Sequence, residues 1–503
     1  MSGPWKLSFE IMIVRSTPSL DARPGQGTLI LIALGAAVGI LANISLPLAG
    51  VLAVSVPMLF LLSQRPELAV LLMVVVNATI FAAKDQPYIP IGMGSLMITD
   101  LILFFLFFLL IWKTLTQQGF RLRKTPLYIP LGLFFLACLL AAYHGMRQGV
   151  NYNQVMRTLR DLVCYLVFIP VINLIQTRRQ LRTLIYGLVI IGGVVGLLML
   201  VQFGLGHKLA IISGRVEEVE TMSTNFAGTR IRPPGESLIL GVLLIGLSWY
   251  ALIKRASPSV WNLVLVALTA IGVLLTYNRS YWVTVLMSLG LLFTFGGRLA
   301  RRRIVRLSGI GLLCLVLVVS SAVMATSGKT FDRLVDSFAA RFGSLFLGEQ
   351  LIESNSLSYR ATENTFAIPA ILAHPLTGIG LGADYRPNVP HLHDTLRNFC
   401  HNGYFYLLMS VGLIGFVPFF AFFLTGVWRA ARSIRRLQNS WDKGFIAGFA
   451  LFGLNMLLIT VIDPMYFQIY TITVFSSLLG ASELIIGGHL PAEETPDKAQ
   501  TRP

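Results

Sequence analysis

About fourteen apolar stretches, each near the roughly 20 residues that a helix needs to cross a bilayer core, divide this 503-residue chain. They run over 28–43, 47–63, 66–83, 96–116, 126–144, 155–176, 181–205, 236–254, 259–276, 279–297, 304–326, 402–428, 444–462 and 464–486. Backbone polar groups in hydrocarbon must be satisfied within the chain, and apolar runs of this length achieve that as helices. The first three are short and crowded, so the expected fold is an all-α polytopic transmembrane helical bundle of about 12–14 spans. Composition agrees: 13% of residues are charged, about half the usual share of a soluble domain, and 55% are hydrophobic. A soluble enzyme, a disordered scaffold, a collagen-like fibre and a disulfide-stapled module are excluded. Four scattered cysteines, with no C-x-x-C pair, suggest neither a disulfide framework nor a zinc site. The polar N-terminal segment MSGPWKLSFEIMIVRSTPSLDARPG has no secretory apolar core, so no cleaved signal is expected.

Positive charge sets the expected orientation. With the N-terminus cytoplasmic, about 25 of the 40 Lys and Arg residues fall inside, including nearly every tight cluster, as the positive-inside rule requires. The densest, RLARRRIVR at 298–306 and WRAARSIRR at 428–436, flank the longest polar segment and place it outside. A formal charge of +17 is thus accounted for by topology, and nucleic-acid binding is not expected. The chain then divides into spans 1–11 over residues 1–326, with an outer loop at 206–235; a large extracytoplasmic loop over 327–401; spans 12–14 over 402–487; and a cytoplasmic tail over 488–503. Within the large loop, the apolar residues of FDRLVDSFAARFGSLF recur at helical spacing opposite Asp332, Arg333, Asp336 and Arg341. That pattern predicts an amphipathic helix over 331–346, at the membrane boundary or packed on the bundle.

Several outer residues could carry chemistry. His401 opens span twelve in HNGYFYLLMSVGLIG, with Asn402 suited to capping the helix. Gly412 lies eleven residues on, which on a regular helix returns to within about 20° of the histidine's direction; with Gly415 it forms a small-residue stripe. The helix N-terminus favours a neutral imidazole. Arg279 follows a very short outer junction in TYNRSYW, and Arg360 lies on an expected helix in SYRATENTF. Arg230 and Arg232 are two apart in TRIRPPGES; Arg157 and Arg160, beside Asp161, share one helix face in MRTLRDL. Guanidinium forks suit phosphate oxygens. Each residue has a structural alternative: an interfacial histidine with no task, an arginine snorkelling to headgroups, a solvated charge. GIGLG at 378–382 lacks dinucleotide-fingerprint spacing and suggests a tight turn. HLHD at 391–394, with His374 and His401, could contribute zinc ligands only if others converged, so neither a metal site nor a cofactor is expected.

Taken together, the motifs resemble the O-antigen ligase and polymerase superfamily of bacterial inner-membrane glycosyltransferases. The resemblance rests on His401-Asn402 followed by Gly412 and Gly415, on Arg279 just after the short junction, and on Arg360 upstream of Pro375-x-x-Gly378-x-Gly380. It covers about 230–415, with RIRPPGES a loose match, and the first 150 residues carry no such motif. It implies an undecaprenyl-diphosphate-linked oligosaccharide as donor and a glycan hydroxyl as acceptor. It further implies His401 as the base, Arg279 and Arg360 on the diphosphate, and no metal ion. Arg230, Arg232, Arg157, Arg160 and Asn402 are the candidate substrate-binding residues. The expected location is the inner membrane, with both termini cytoplasmic and the active site periplasmic. Membrane lipids are expected partners, and a chain-length regulator or a flippase is a candidate protein partner. A polymerase is favoured over a ligase acting on lipid A-core or protein because the span count exceeds the ligase's usual number. A transporter or flippase predicts charges near the bilayer midplane. Here, apart from Asp463, the conspicuous charges sit at span ends.

Overall fold

The computed structural model describes residues 46–78, 88–91, 94–206, 209–212, 214–221, 224–253, 260–309, 355–389 and 396–490. Residues 1–68 and 69–503 form separate compact units. The first contributes helix α1 (Leu46–Gln64), and α2 (Pro66–Ala78) begins at its boundary. The second unit holds β1 (Tyr88–Ile91), β2 (Gly94–Met97), α3 (Ile98–Thr116), α4 (Tyr128–Arg147), α5 (Tyr152–Val163), α6 (Phe168–Leu174) and α7 (Arg178–Leu205). It continues through β3 (Arg215–Thr221), β4 (Thr224–Arg232), α8 (Glu236–Leu252), α9 (Val260–Leu275), α10 (Arg279–Phe295), α11 (Asn355–Ala373), α12 (Gly403–Ser433), α13 (Ser440–Ile459) and α14 (Ile469–Ile486). The expected 331–346 helix, the HLHD stretch, the 28–43 span and most of the 304–326 span lie outside the described residues.

The chain is a multi-pass, all-α membrane bundle. Six described helices, α3, α4, α7, α12, α13 and α14, are long and apolar enough to cross a membrane, and α8, α9 and α10 are shorter apolar helices. Burial sorts them: 89% of the tested α14 window and 72% of the α13 window lie inside the protein, against 33% for α3 and 39% for α4. Helices α13 and α14 are therefore central, and α3 and α4 present apolar faces outward. Asparagines start many of the helices by accepting backbone N–H bonds: Asn151, Asn278, Asn402 and Asn439 cap α5, α10, α12 and α13. Thr177 and Gln180 form a reciprocal capping box on α7.

Two regions depart from the sequence expectation. The stretch 155–176 is not one continuous helix: α5 passes through a 3-10 turn at Cys164–Val167 into the short α6. Tyr165 in that turn donates to the Tyr466 carbonyl at 3.2 Å and packs on Phe419 at 5.4 Å between centroids. Ring burial there, continued by Phe134, Phe423 and Phe475, offsets the lost helical geometry. Deleting a buried ring such as Phe419 would cost about 3–5 kcal/mol. Secondly, the polar 206–235 segment contains an antiparallel hairpin, β3 with β4, pairing Glu217 opposite Arg230 and Arg215 opposite Arg232.

Helix α12 is broken at Gly412, whose φ of +59° and ψ of −170° no helix interior adopts. The loop after α11 fills the break. Ile379 N–H donates to the Met409 carbonyl at 2.7 Å, and the N–H groups of Leu413 and Ile414 donate to the carbonyls of Pro375 and Leu376 at 2.9 and 3.1 Å. Backbone bonds lost by the helix are thus replaced by the loop. A Cβ at Gly412 would collide with the Leu376 carbonyl, and one at Gly380 would meet the Gly145 backbone of α4 at 2.7 Å. The expected glycine stripe therefore serves a docked loop at Gly412, and only Gly415 approaches a neighbouring helix, at Ala137 of α4.

Candidate active site

Helix α11 carries Arg360 and Glu363 one turn apart, and the loop that follows brings His401 back against it. The His401 backbone N–H donates to Glu363 Oε2 at 3.0 Å, and its Nδ1 lies 3.1 and 3.0 Å from Oε1 and Oε2. An ionised carboxylate only accepts hydrogen bonds, so the Nδ1 position carries the proton. In the neutral form of the ring, Nε2 is then the nitrogen left to accept a proton. The Glu363 side chain is 1% exposed and that of His401 30% exposed: one holds, the other is accessible. Tyr359 and Phe399 set their rings edge-on to the imidazole, at 5.2 and 5.0 Å between centroids. Asn402 is a structural cap, its Oδ1 accepting from the N–H groups of Tyr404 and Phe405 at 3.0 and 3.3 Å.

Arg279 is the first residue of α10. The turn before it is tight: Tyr277 has φ +50°, and Asn278 N–H donates to Thr276 Oγ1 at 3.2 Å. A bulky residue in the left-handed region is uncommon and costs free energy. Here it places a half-buried guanidinium at a helix N-terminus, where the macrodipole opposes a cation and favours an anion. Arg230, on β4, donates from Nε to the Thr276 carbonyl at 3.1 Å and so braces that turn.

Arg360 donates from Nε to the Ile462 carbonyl at 3.3 Å. Burial lowers its pKa from the ordinary arginine value, Asp463 and Glu363 raise it, and Arg232 and Arg279 lower it further. These five groups therefore share one electrostatic neighbourhood, and Asp463 also interacts with His401. Arg232 is held by two carboxylates. It donates from Nε to Glu236 at 3.1 Å, again from Nη2 to the same carboxylate, and to Asp463 Oδ2 at 3.1 Å. The charge of Glu236 raises its pKa above the ordinary value. Two carboxylates already occupy this fork, so Arg232 is engaged as a tie between β4, α8 and the 460–468 corner.

The structure thus gathers His401, Arg279, Arg360 and Arg232 at one end of the bundle. Arg157 and Arg160 interact with a different set. Arg160 pairs with Asp100 at 3.1 Å and binds the Ser95 carbonyl, while the exposed Arg157 and Arg160 both act on Asp161. Among the described residues no group of three or more His, Cys, Asp and Glu side chains could hold a metal. Sequence reasoning missed Glu363. Its i, i+3 spacing from Arg360 reads as a local helix pair, whereas its partner His401 is 38 residues away.

Residues 263–420 match the family model described as O-antigen ligase. That span contains Arg279, Arg360, Glu363, His401, Gly412 and Gly415. The match covers about a third of the chain and agrees with the resemblance to the O-antigen ligase and polymerase superfamily that the motifs carry. Among curated proteins nothing matches the chain.

Proposed function

We propose that this protein polymerises a surface polysaccharide, an O-antigen or an exopolysaccharide. It would move an undecaprenyl-diphosphate-linked glycan to an acceptor sugar hydroxyl on the periplasmic side of a bacterial inner membrane. The observation that carries the reading is the Glu363–His401 pair, an accessible imidazole with its Nδ1 proton held by a buried carboxylate, beside Arg360. The acceptor oxygen attacks the anomeric carbon of the donor's first sugar, and its proton passes to His401 Nε2. The bond from that carbon to the phosphate oxygen breaks, and the electron pair leaves with the diphosphate. Arg279 and Arg360 bind the diphosphate and stabilise the charge growing on the leaving oxygen. Two guanidiniums supply the role that a divalent cation plays elsewhere, so the reaction needs no metal. Arg230 supports Arg279 through the Thr276 carbonyl, and Arg232 holds the 460–468 corner against which Arg360 lies. Arg157, Arg160 and Asn402 serve the acceptor side or the scaffold.

A ligase that delivers the finished glycan to lipid A-core or protein uses the same groups, and the matched family's description favours it. Purified protein supplied with a lipid-linked oligosaccharide separates the readings by product mass. A ladder of repeats is expected for the polymerase. One discrete adduct on an added acceptor identifies the ligase, and no transfer to either overturns both.

A further inference from the structure

The ends of α8, α10, α12 and α13 that lie away from His401 enclose a second feature. Helices α8 and α10 begin at the site with Glu236 and Arg279, α12 begins just after His401, and α13 ends at the 460–468 corner. Their opposite ends border a cavity of about 820 Å³. Its walls are apolar, and they recede where Ala251, Gly296, Ala431, Ala447 and Ala450 offer little or no side chain. Among the described residues its only charged lining residues are Arg435 and Lys443, and none of the described lining residues is an acid. The acid next in sequence, Asp442, is buried and takes Arg178 Nη1 on both oxygens, at 2.9 and 2.8 Å. Neighbouring Arg429 is likewise taken up by Glu483. The cavity therefore pairs a greasy recess with two cations, while Asp442, next in sequence to Lys443, is already matched by Arg178.

We propose that this cavity binds one anionic membrane phospholipid, an acyl chain lying between α10 and the α12–α13 pair and the headgroup phosphate resting on Arg435 and Lys443. An apolar occupant alone leaves the two cations unmatched, and a zwitterionic headgroup offers them a phosphate whose charge is already balanced. Trp428, 65% exposed on the lining, suits the headgroup boundary. The site is independent of the glycosyl-transfer reading, since no group of the His401 cluster lines it.

Native mass spectrometry of the detergent-purified full chain, titrated with phosphatidylglycerol or phosphatidylcholine of equal chain length, tests this. Each basic residue near an anionic headgroup is worth about a factor of five, so phosphatidylglycerol should be retained about twenty-fivefold more tightly. R435Q/K443Q should erase the preference. Ala447→Trp should block retention of one lipid equivalent without altering charge, and Ala450→Leu tests the same recess with a smaller change should the first variant fold poorly. Equal retention of both lipids, or retention unchanged by the charge and filling variants, overturns the proposal.

Discussion

Arginines and carboxylates meet at both ends of the bundle, but they are arranged differently. At the end away from His401 the pairs are one to one. Arg178 grips Asp442, whose side chain is 4% exposed, and Arg429 grips Glu483, 2% exposed, through two bonds. Other arginines there close helix ends: Arg303 donates to the carbonyls of Tyr250 and Ile253, and Arg123 to those of Ile172 and Ile175. Cations at helix C-termini complement the macrodipole. At the His401 end the charges are pooled. Arg232, Arg279 and Arg360 share a neighbourhood with Glu363 and Asp463, and Arg279 sits at a helix N-terminus, against the dipole. The first arrangement is what stability selects. The second draws several guanidiniums and carboxylates into one neighbourhood and sets Arg279 against its helix dipole, a local cost that an anionic ligand on Arg279 and Arg360 would offset.

That contrast predicts a graded series of effects. His401→Ala removes the base and should lower glycosyl transfer by about 10²–10⁴-fold while the protein still binds a lipid diphosphate; full turnover in a product-mass assay would exclude His401 as the base. Arg279→Lys keeps the charge but loses the fork, and should reduce kcat by about ten- to a hundredfold. Equal rates for lysine and arginine would show that bidentate contact is not used. Glu363→Gln leaves His401 in place with its tautomer less firmly set, and should lower kcat about tenfold with KM for the donor unchanged. A rise in KM alone would give Glu363 a binding task instead. At the other end, Arg429→Ala strands buried Glu483 and should cost about 2 kcal/mol, read as a lower melting temperature in detergent, with turnover per folded molecule unaltered. Loss of turnover there would break the distinction between the two ends. Chelators should leave the rate unchanged, and inhibition reversed by added metal would restore a metal role to the site.

Much of this was legible in the chain because membrane proteins write their constraints in runs. Apolar length marks the helices, and His401 and Arg279 stand out beside apolar runs at helix starts, whereas Arg360 lies in the polar stretch SYRATENTF and is singled out only by the family resemblance. What stayed hidden depends on contacts between distant segments. Gly412 suggests a helix-packing stripe, and only the structure shows a loop entering the helix there, because the replacing carbonyls come from Pro375 and Leu376. The 155–176 run is apolar enough for one span, yet ring packing around Tyr165 favours a break. Arg230 and Arg232 look like free phosphate ligands in RIRPPGES. The strand β4 instead directs them to Thr276, Glu236 and Asp463. Glu363 was invisible for the same reason as the loop: its role lies in a residue brought back by the fold.

The most direct measurement is an experimental structure of the protein with a non-transferable polyprenyl diphosphate sugar bound. Diphosphate oxygens are expected within hydrogen-bonding distance of both Arg279 and Arg360, with the anomeric carbon on the side of His401 Nε2. A diphosphate seated at the opposite end, beside Arg435 and Lys443, or one touching neither arginine of the His401 cluster, would contradict it.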